Sequence, residues 1–237
     1  MKKLPINIDC GENYGRYHQF DESPIVSLAQ LANVSCGFHG GDYAGIVTTL
    51  QLMKSHNIQV GAHPSFPDLQ GFGRRYMNME KNDLCACIFF QIASLQGLCT
   101  ALDIEMKHVK AHGALYNACA EHEKEAQAFV EAIRKVSTDL TVLTMPDSTL
   151  EYIAQNEGLK VMRESFADRS YNSDLSLVSR QEADAVIIEP TLVKKQYEDL
   201  CNGQVYDREG NKHKLESDTV CIHGDHLKLN EINKIFV

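Results

Sequence analysis

The chain has no CxxC pair, no P-loop and no run of basic residues, and each absence removes a class of function. Without CxxC, a structural zinc site of that type has no support. The GxxxxGK[ST] pattern is missing, and Gly71-Phe72-Gly73 runs into Arg74-Arg75-Tyr76 instead of completing a dinucleotide fingerprint. Any use of ATP is therefore not announced by a local nucleotide motif. Formal net charge is −9, from 23 basic and 32 acidic side chains. The strongest basic pairs are Arg74-Arg75 and Lys194-Lys195, too little for a nucleic-acid surface. The opening MKKLPINIDC is broken by Pro5, Asn7 and Asp9, which is not the apolar run of a signal peptide. No stretch reads as a span of ~18 apolar residues. The expectation is a cytoplasmic chain with no membrane partner, whose eight cysteines stay reduced. Cys10, Cys36 and Cys221 end extended runs and are read as core filling, not nucleophiles.

What is present is alternation. With 237 residues, 43% hydrophobic and 23% charged, the chain is long enough for a substantial core. Extended runs at 4–8, 33–36, 58–60, 107–110, 140–144, 159–162 and 219–222 are separated by helical spacing. The helical stretches are 23–32, 44–56, 81–102, 121–136, 148–156 and 190–201, with a last one at the C-terminus. Pro190 suits a first helical turn. About seven strand–helix repeats predict an α/β fold with parallel strands. We expect a single catalytic domain over 1–237, closed into a barrel, with a doubly wound open sheet as the alternative. Residues 204–217 predict an inserted hairpin turning at Glu209-Gly210-Asn211.

Polar residues fall at one end of these repeats. Nearly every extended run is followed at once by a polar, mostly glycine-bearing stretch. These are DCGENYG from Asp9, GFHGGD from Gly37, GAHPS from Gly61, KAHGALYN from Lys110, ESFADRSY from Glu164 and HGD from His223. In parallel α/β folds the strand carboxyl ends share one rim, where ligand and catalytic groups gather. That rim would collect Asp9, Glu12, His39, Asp42, His63, Lys110, His112, Asp168, Arg169, His223 and Asp225. Lys110 and His112 are two apart and share a strand face, as do Asn7 and Asp9. A lysine on an inward face is a costly core choice and fits a polar pocket that stabilises negative charge.

The bland readings sit beside these. A lone loop histidine is usually solvated; the argument rests on His39, His63, His112 and His223 as a set. His18, His56, His108, His122, His213 and His226 lack the glycine-rich setting and are read as surface or structural. Asp42 is equally an N-cap for the helix that follows, and Asp225 has the same alternative. Glu12 is also a plausible turn residue. Arg74 and Arg75 suit a carboxylate or phosphate, or pair with surface acids. The glycines of VSCGFHGGDYAG are read as making room for substrate near His39.

Taken in order, NIDCGENYG, ANVSCGFHGGDYAG, GAHPSFPDLQGFGRR, VKAHGALYN, FADRSY and CIHGD resemble the LamB/YcsF family of 5-oxoprolinase A subunits. The resemblance runs over about residues 4 to 226. It implies a distorted (β/α) barrel like that of the glycoside hydrolase/deacetylase superfamily. It also implies hydrolysis of a cyclic amide: ATP-dependent opening of 5-oxo-L-proline to L-glutamate, with ATP as co-substrate and two further subunits, B and C. Carried onto this chain, the family's polar positions are the rim residues above together with Arg74. Ala111 and Ser179 stand where the family commonly has proline, and His226-Leu227 where it has Thr-Pro; no reactive group is lost.

On that basis Asp9, His39, His63, Lys110 and His112 are the expected catalytic residues. Asp9 would act as base on water, the histidines would position water or protonate nitrogen, and Lys110 and Arg74 would hold anionic groups. Glu12, Asp42, Arg74, Asp168, Arg169, His223 and Asp225 are the expected substrate-binding residues. A stand-alone, metal-dependent amide hydrolase or deacetylase is the second reading, with Asp9, His39, His63 and His112 as candidate ligands for a divalent ion. A non-catalytic subunit that binds a small carboxylate is the third.

Overall fold

The computed structural model describes residues 3–16 and 23–236; His18 lies outside them. In chain order the elements are β1 (Ile6–Cys10), α1 (Ser23–Val26), β2 (Leu31–Ser35), α2 (Tyr43–Ser55), β3 (Gln59–His63), α3 (Lys81–Ala101), β4 (Met106–Lys110), α4 (Gly113–Glu121), α5 (Glu123–Val136), β5 (Thr141–Thr144), α6 (Thr149–Asn156), β6 (Lys160–Phe166), α7 (Pro190–Cys201), β7 (Gln204–Tyr206), β8 (Lys212–Lys214), β9 (Thr219–Ile222) and α8 (Leu229–Phe236). The strands close in the order β1-β2-β3-β4-β5-β6-β9, all parallel. This is the expected barrel. β7 and β8 form an antiparallel hairpin outside it, between α7 and β9.

Parallel strands need helical crossovers, so every strand end of one sense opens on the same rim. The outward faces are apolar: Ile8, Val34, Val60, Val109, Val142 and Val220 join one core with Leu84, Ile88 and Ile92 of α3 and Phe129 and Ile133 of α5. Each such side chain contributes about 1.5–3 kcal/mol on burial.

The inward faces carry most of the buried polar side chains of the strands. Asn7 donates to Thr219 Oγ1 (3.1 Å), Asn33 to Asn7 Oδ1 (2.8 Å), and His108 Nε2 to Asn33 Oδ1 (2.9 Å). A Cβ on Gly61 would lie 2.2 Å from His108 Cδ2, and the β3–β4 register shifts at this point. The histidine thus occupies the space of a missing side chain, which distorts the barrel locally.

Three expectations change. The helix expected over 23–32 stops at Val26, because Leu31 and Ala32 pair with Asn7 and Ile8 in the barrel ladder. A helix not anticipated, α4, begins directly after His112. Finally, α3 contains an 18-residue window of mean hydropathy 1.7, long and apolar enough to cross a membrane. The expectation that no stretch approaches a span is corrected on that point. Charge in this helix is confined to Lys81 and Asp83, and its cysteines and alanines count as apolar. Its face bearing Leu84, Ile88, Ile92, Leu95 and Cys99 is packed into the core of the barrel.

Candidate active site

The rim encloses a cavity of about 720 Å³ lined by Asp9, His63, Lys110, His112, Tyr116, Phe166, Arg169 and His223, with Arg74 and Arg180 among its other walls. Strand alternation explains the floor. Asp9 ends an inward row that includes Asn7, Lys110 one that includes His108, and Phe166 one that includes Glu164. Lys110 Nζ lies 3.0 Å from Asp9 Oδ1 and 2.8 Å from Glu164 Oε1, and also donates to Cys221 Sγ (3.1 Å). All four groups are buried. Burial works against the ammonium, but Asp9, then Cys221 and Glu164, hold Lys110 well above its ordinary value. Burial likewise works against the Asp9 carboxylate, yet His63 and Lys110 hold it well below the usual range. The floor is therefore a locked ion pair.

His223 stands on the other side of Asp9. Its Nδ1 donates to Asp168 (2.9 Å to Oδ1), and its backbone N–H donates to Asp168 Oδ2 (2.9 Å). Burial opposes ionisation of Asp168, but His223 outweighs it and holds the carboxyl far below its usual range. With Nδ1–H engaged, His223 turns Nε2 to within 4.0 Å of Asp9 Oδ2. This is a carboxylate-oriented imidazole, the arrangement of a general base.

A second cluster forms the adjoining wall. His63 Nε2 is 3.4 Å from Asp9 Oδ2 and 3.0 Å from His112 Nδ1. Behind them Glu12 Oε1 sits 2.9 Å from His39 Nε2 and 3.4 Å from His112 Nδ1. Burial, then the Asp9 charge, pushes Glu12 up to about 8. Burial holds His39 and His112 well below the ordinary histidine value. These buried Glu and His side chains could hold a metal ion.

At the mouth, Asp225 pairs with both Arg74 and Arg180. Two guanidinium groups against one carboxylate leave positive charge facing the cavity.

The profile of the LamB/YcsF family matches residues 4–235. The chain belongs to the LamB/YcsF family. It is 41% identical over 226 residues to a 5-oxoprolinase A subunit of Pseudomonas syringae pv. tomato, covering 95% of this chain and 88% of the relative. It is 39% identical over 231 residues to the 5-oxoprolinase A subunit of Pyrococcus abyssi, covering 97% and 91%. A crystal structure of the lactam utilization protein from Thermus thermophilus superposes with a TM-score of 0.90 at 32% identity, over 98% of this chain and 95% of that one.

Within this LamB/YcsF barrel the expected residues separate by place. Asp9, His63, Lys110, His112, Arg74, Arg169 and His223 line the cavity. Glu12 and His39 stand one layer behind it. Asp42 is set apart as the N-cap of α2: its carboxylate accepts from the Ala44 and Gly45 amides (2.8 and 2.9 Å) and from the Gly15 amide. Asp225 instead pairs with Arg74 and Arg180. Arg169, lowered to about 10 chiefly by burial, donates to the carbonyls of Ala185 and Val178, pinning the loop that carries Arg180. Gly40 and Gly41 do not make room for substrate. Added Cβ atoms there would lie 2.6 Å from Glu12 O and 2.4 Å from Gly11 O, so these glycines let the β1 and β2 loops touch.

Asn33, Glu164, Tyr116 and Arg180 were not singled out from the sequence. Asn33 carried a signal, a polar residue inside the apolar strand LANVS; Glu164 had the same one in KVMRESF. Cys221 is buried against Lys110, and burial raises its thiol well above the ordinary value, while that of Cys36 is pushed up to about 12. His108 and His226 are structural: each is buried, His226 donating to Ile187 O (2.8 Å).

Gly73 shows how tightly the histidine wall is built. Its φ is +65°, and an added Cβ would lie 2.7 Å from His112 Cδ2 and 2.9 Å from His39 Cβ. Gly73→Ala is expected to cost about 1–3 kcal/mol through backbone strain and overpacking. Urea unfolding measures this; an unchanged midpoint would contradict the close approach.

Proposed function

We propose that this chain is the A subunit of an ATP-dependent 5-oxoprolinase, opening the cyclic amide of 5-oxo-L-proline to L-glutamate. It would act as a single catalytic domain, in the cytoplasm, in a complex with subunits B and C. The observation that carries this reading is the convergence of a locked Asp9–Lys110 pair and an Asp168-oriented His223 on one small-molecule cavity, in a family whose curated relatives bear that name.

A lactam is an unactivated amide. In the proposed sequence the lactam oxygen attacks the γ-phosphorus of ATP and ADP departs. Water adds to the activated carbon and gives its proton to His223 Nε2. The C–N bond breaks as the nitrogen takes up a proton, leaving an acyl phosphate. A second water hydrolyses this to glutamate and phosphate. Lys110, kept cationic by Asp9 and Glu164, faces the negative charge that develops at the carbon. Arg74 and Arg180 suit the substrate carboxylate. Asp9 is better placed to hold Lys110 than to act as base, because a strongly depressed carboxylate is a weak proton acceptor.

The test is glutamate formation from 5-oxo-L-proline with ATP, by this chain combined with B and C subunits. Equal amounts of ADP and glutamate are expected; no ATP-coupled turnover would overturn the reading. The second reading, a stand-alone metal-dependent amide hydrolase, is favoured only by the Glu12–histidine group. It requires chelator-sensitive turnover by the chain alone without ATP. The third, a non-catalytic carboxylate-binding subunit, requires 5-oxo-L-proline binding in calorimetry without turnover in any combination.

A further inference from the structure

Asp225, on the β9–α8 loop, joins two arginines that reach it from other loops. Arg74 comes from the β3–α3 loop through Nη2, and Arg180 from the β6–α7 loop through Nη1 at 3.3 Å; both meet the same oxygen, Oδ2. Among the described residues this is the one side-chain hydrogen bond that each guanidinium makes. Arg75 and Arg169 are differently placed. Arg75 uses Nε and Nη2 on Asp68, and Arg169 uses Nε and Nη2 on the carbonyls of Ala185 and Val178. A guanidinium has five N–H donors, so Arg74 and Arg180 keep most of theirs. Both line the cavity, and Asp225 does not. The Arg74 guanidinium lies over the Phe72 ring, 4.9 Å from its centroid, and Arg169 pins the loop that carries Arg180. The two forks are thus held in place before a ligand arrives.

Paired arginine forks fit carboxylate and phosphate alike. Charge is what separates the two. Burial opposes ionisation of Asp225, but Arg180, His223 and Arg74 hold its carboxyl below the ordinary range, so it stays anionic. Two guanidinium groups and one carboxylate leave one unit of positive charge. A ligand carboxylate brings the cluster to neutrality. A phosphate group, with about −1.5 to −2 charges near neutral pH, overshoots it. The three side chains are 37%, 26% and 13% exposed, so salt screens the excess less than it would on an open surface.

We propose that Asp225 is a specificity-determining positioning residue, which sets the Arg74–Arg180 clamp for carboxylates and against phosphate groups. The proposal rests on the reading above, in which a carboxylate substrate shares one reaction with ATP, ADP and phosphate. With more positive charge, the same arginines would hold phosphate in the place of the substrate carboxylate. Leaving the wrong ligand with unmatched charge is one way a site gains selectivity.

The experiment is calorimetry on the full chain with 5-oxo-L-proline and with its phosphonate counterpart, 5-oxopyrrolidine-2-phosphonate, at about pH 8, where the second phosphonate proton is off. The wild type is expected to prefer the carboxylate. Asp225→Asn leaves two units of positive charge. It should move the preference toward the phosphonate by about 10-fold or more and tighten binding of inorganic phosphate. Combining Asp225→Asn with Arg180→Gln returns the cluster to one unit and should return the preference toward the carboxylate. An equal preference in wild type and Asp225→Asn overturns the proposal. So does weaker binding of both ligands by Asp225→Asn, which would mark Asp225 as only holding the arginines in position. Should the variants fail to fold, the wild-type ratio decides: a preference for the phosphonate, or binding of neither ligand, overturns the clamp. Absence of ATP-coupled turnover with the carboxylate preference intact would remove the proposed reaction and leave the clamp standing. Turnover with an unchanged preference in Asp225→Asn would remove the clamp alone.

Discussion

Lys110→Met is expected to destabilise the protein by about 3–5 kcal/mol, the cost of breaking a buried ion pair from one side, and to abolish ring opening. Methionine matches the length of lysine, so little volume is lost. What changes is charge. Asp9 and Glu164, 4% and 0% exposed, would face each other's negative charge without the ammonium between them. Each would have to take up a proton or draw in water. Urea unfolding gives the cost directly. Pairing Lys110→Met with Glu164→Gln removes one stranded carboxylate, so the double variant should recover part of the loss, with a coupling of about 0.5–3 kcal/mol. Strict additivity of the two changes would overturn the view that Lys110 and Glu164 act as a pair.

Asp168→Asn is expected to lower kcat of the assembled enzyme by about 10²–10⁴-fold while leaving the fold intact. Asp168 accepts two hydrogen bonds from His223, one from the backbone and one from Nδ1–H. Asparagine can still accept the backbone bond through its oxygen. Its amide then points a donor at Nδ1, which favours the tautomer carrying hydrogen on Nε2. The imidazole would present a donor to the cavity where a proton acceptor is needed. Kinetics should show the loss in kcat with a small change in KM, and nitrogen NMR should show the tautomer exchanged. Wild-type kcat in this variant would remove His223 from the role of base.

The class of fold was legible because a period-two run followed by helical spacing recurs along the chain. α7 and β9 begin and end where that pattern places them. The rim was legible for a related reason: in a parallel barrel, chain direction alone decides which loops meet. That sufficed to gather Asp9, His63, Lys110, His112 and His223 before any contact was known.

Roles within the rim were not legible, since they depend on which side chains face each other across the barrel. Asp42 and Glu12 look alike in sequence, each an acid in a glycine-rich loop. One caps α2 through backbone amides, and the other is buried against His39 and His112. His108 reads as a surface or structural residue; the structure decides for the second, since it fills the space beside Gly61 inside the barrel. Lys110 and Glu164 come from β4 and β6, strands that are not neighbours in the sheet, and only barrel closure brings them to 2.8 Å.

Local periodicity and chain direction were thus enough to specify the alternation and the end of the barrel that carries the polar groups, and the motif blocks in their order carried the resemblance to the family. Which acid holds which base was settled only by the folded barrel, because ion pairing, burial and tautomer depend on distances across it that no spacing along the chain encodes.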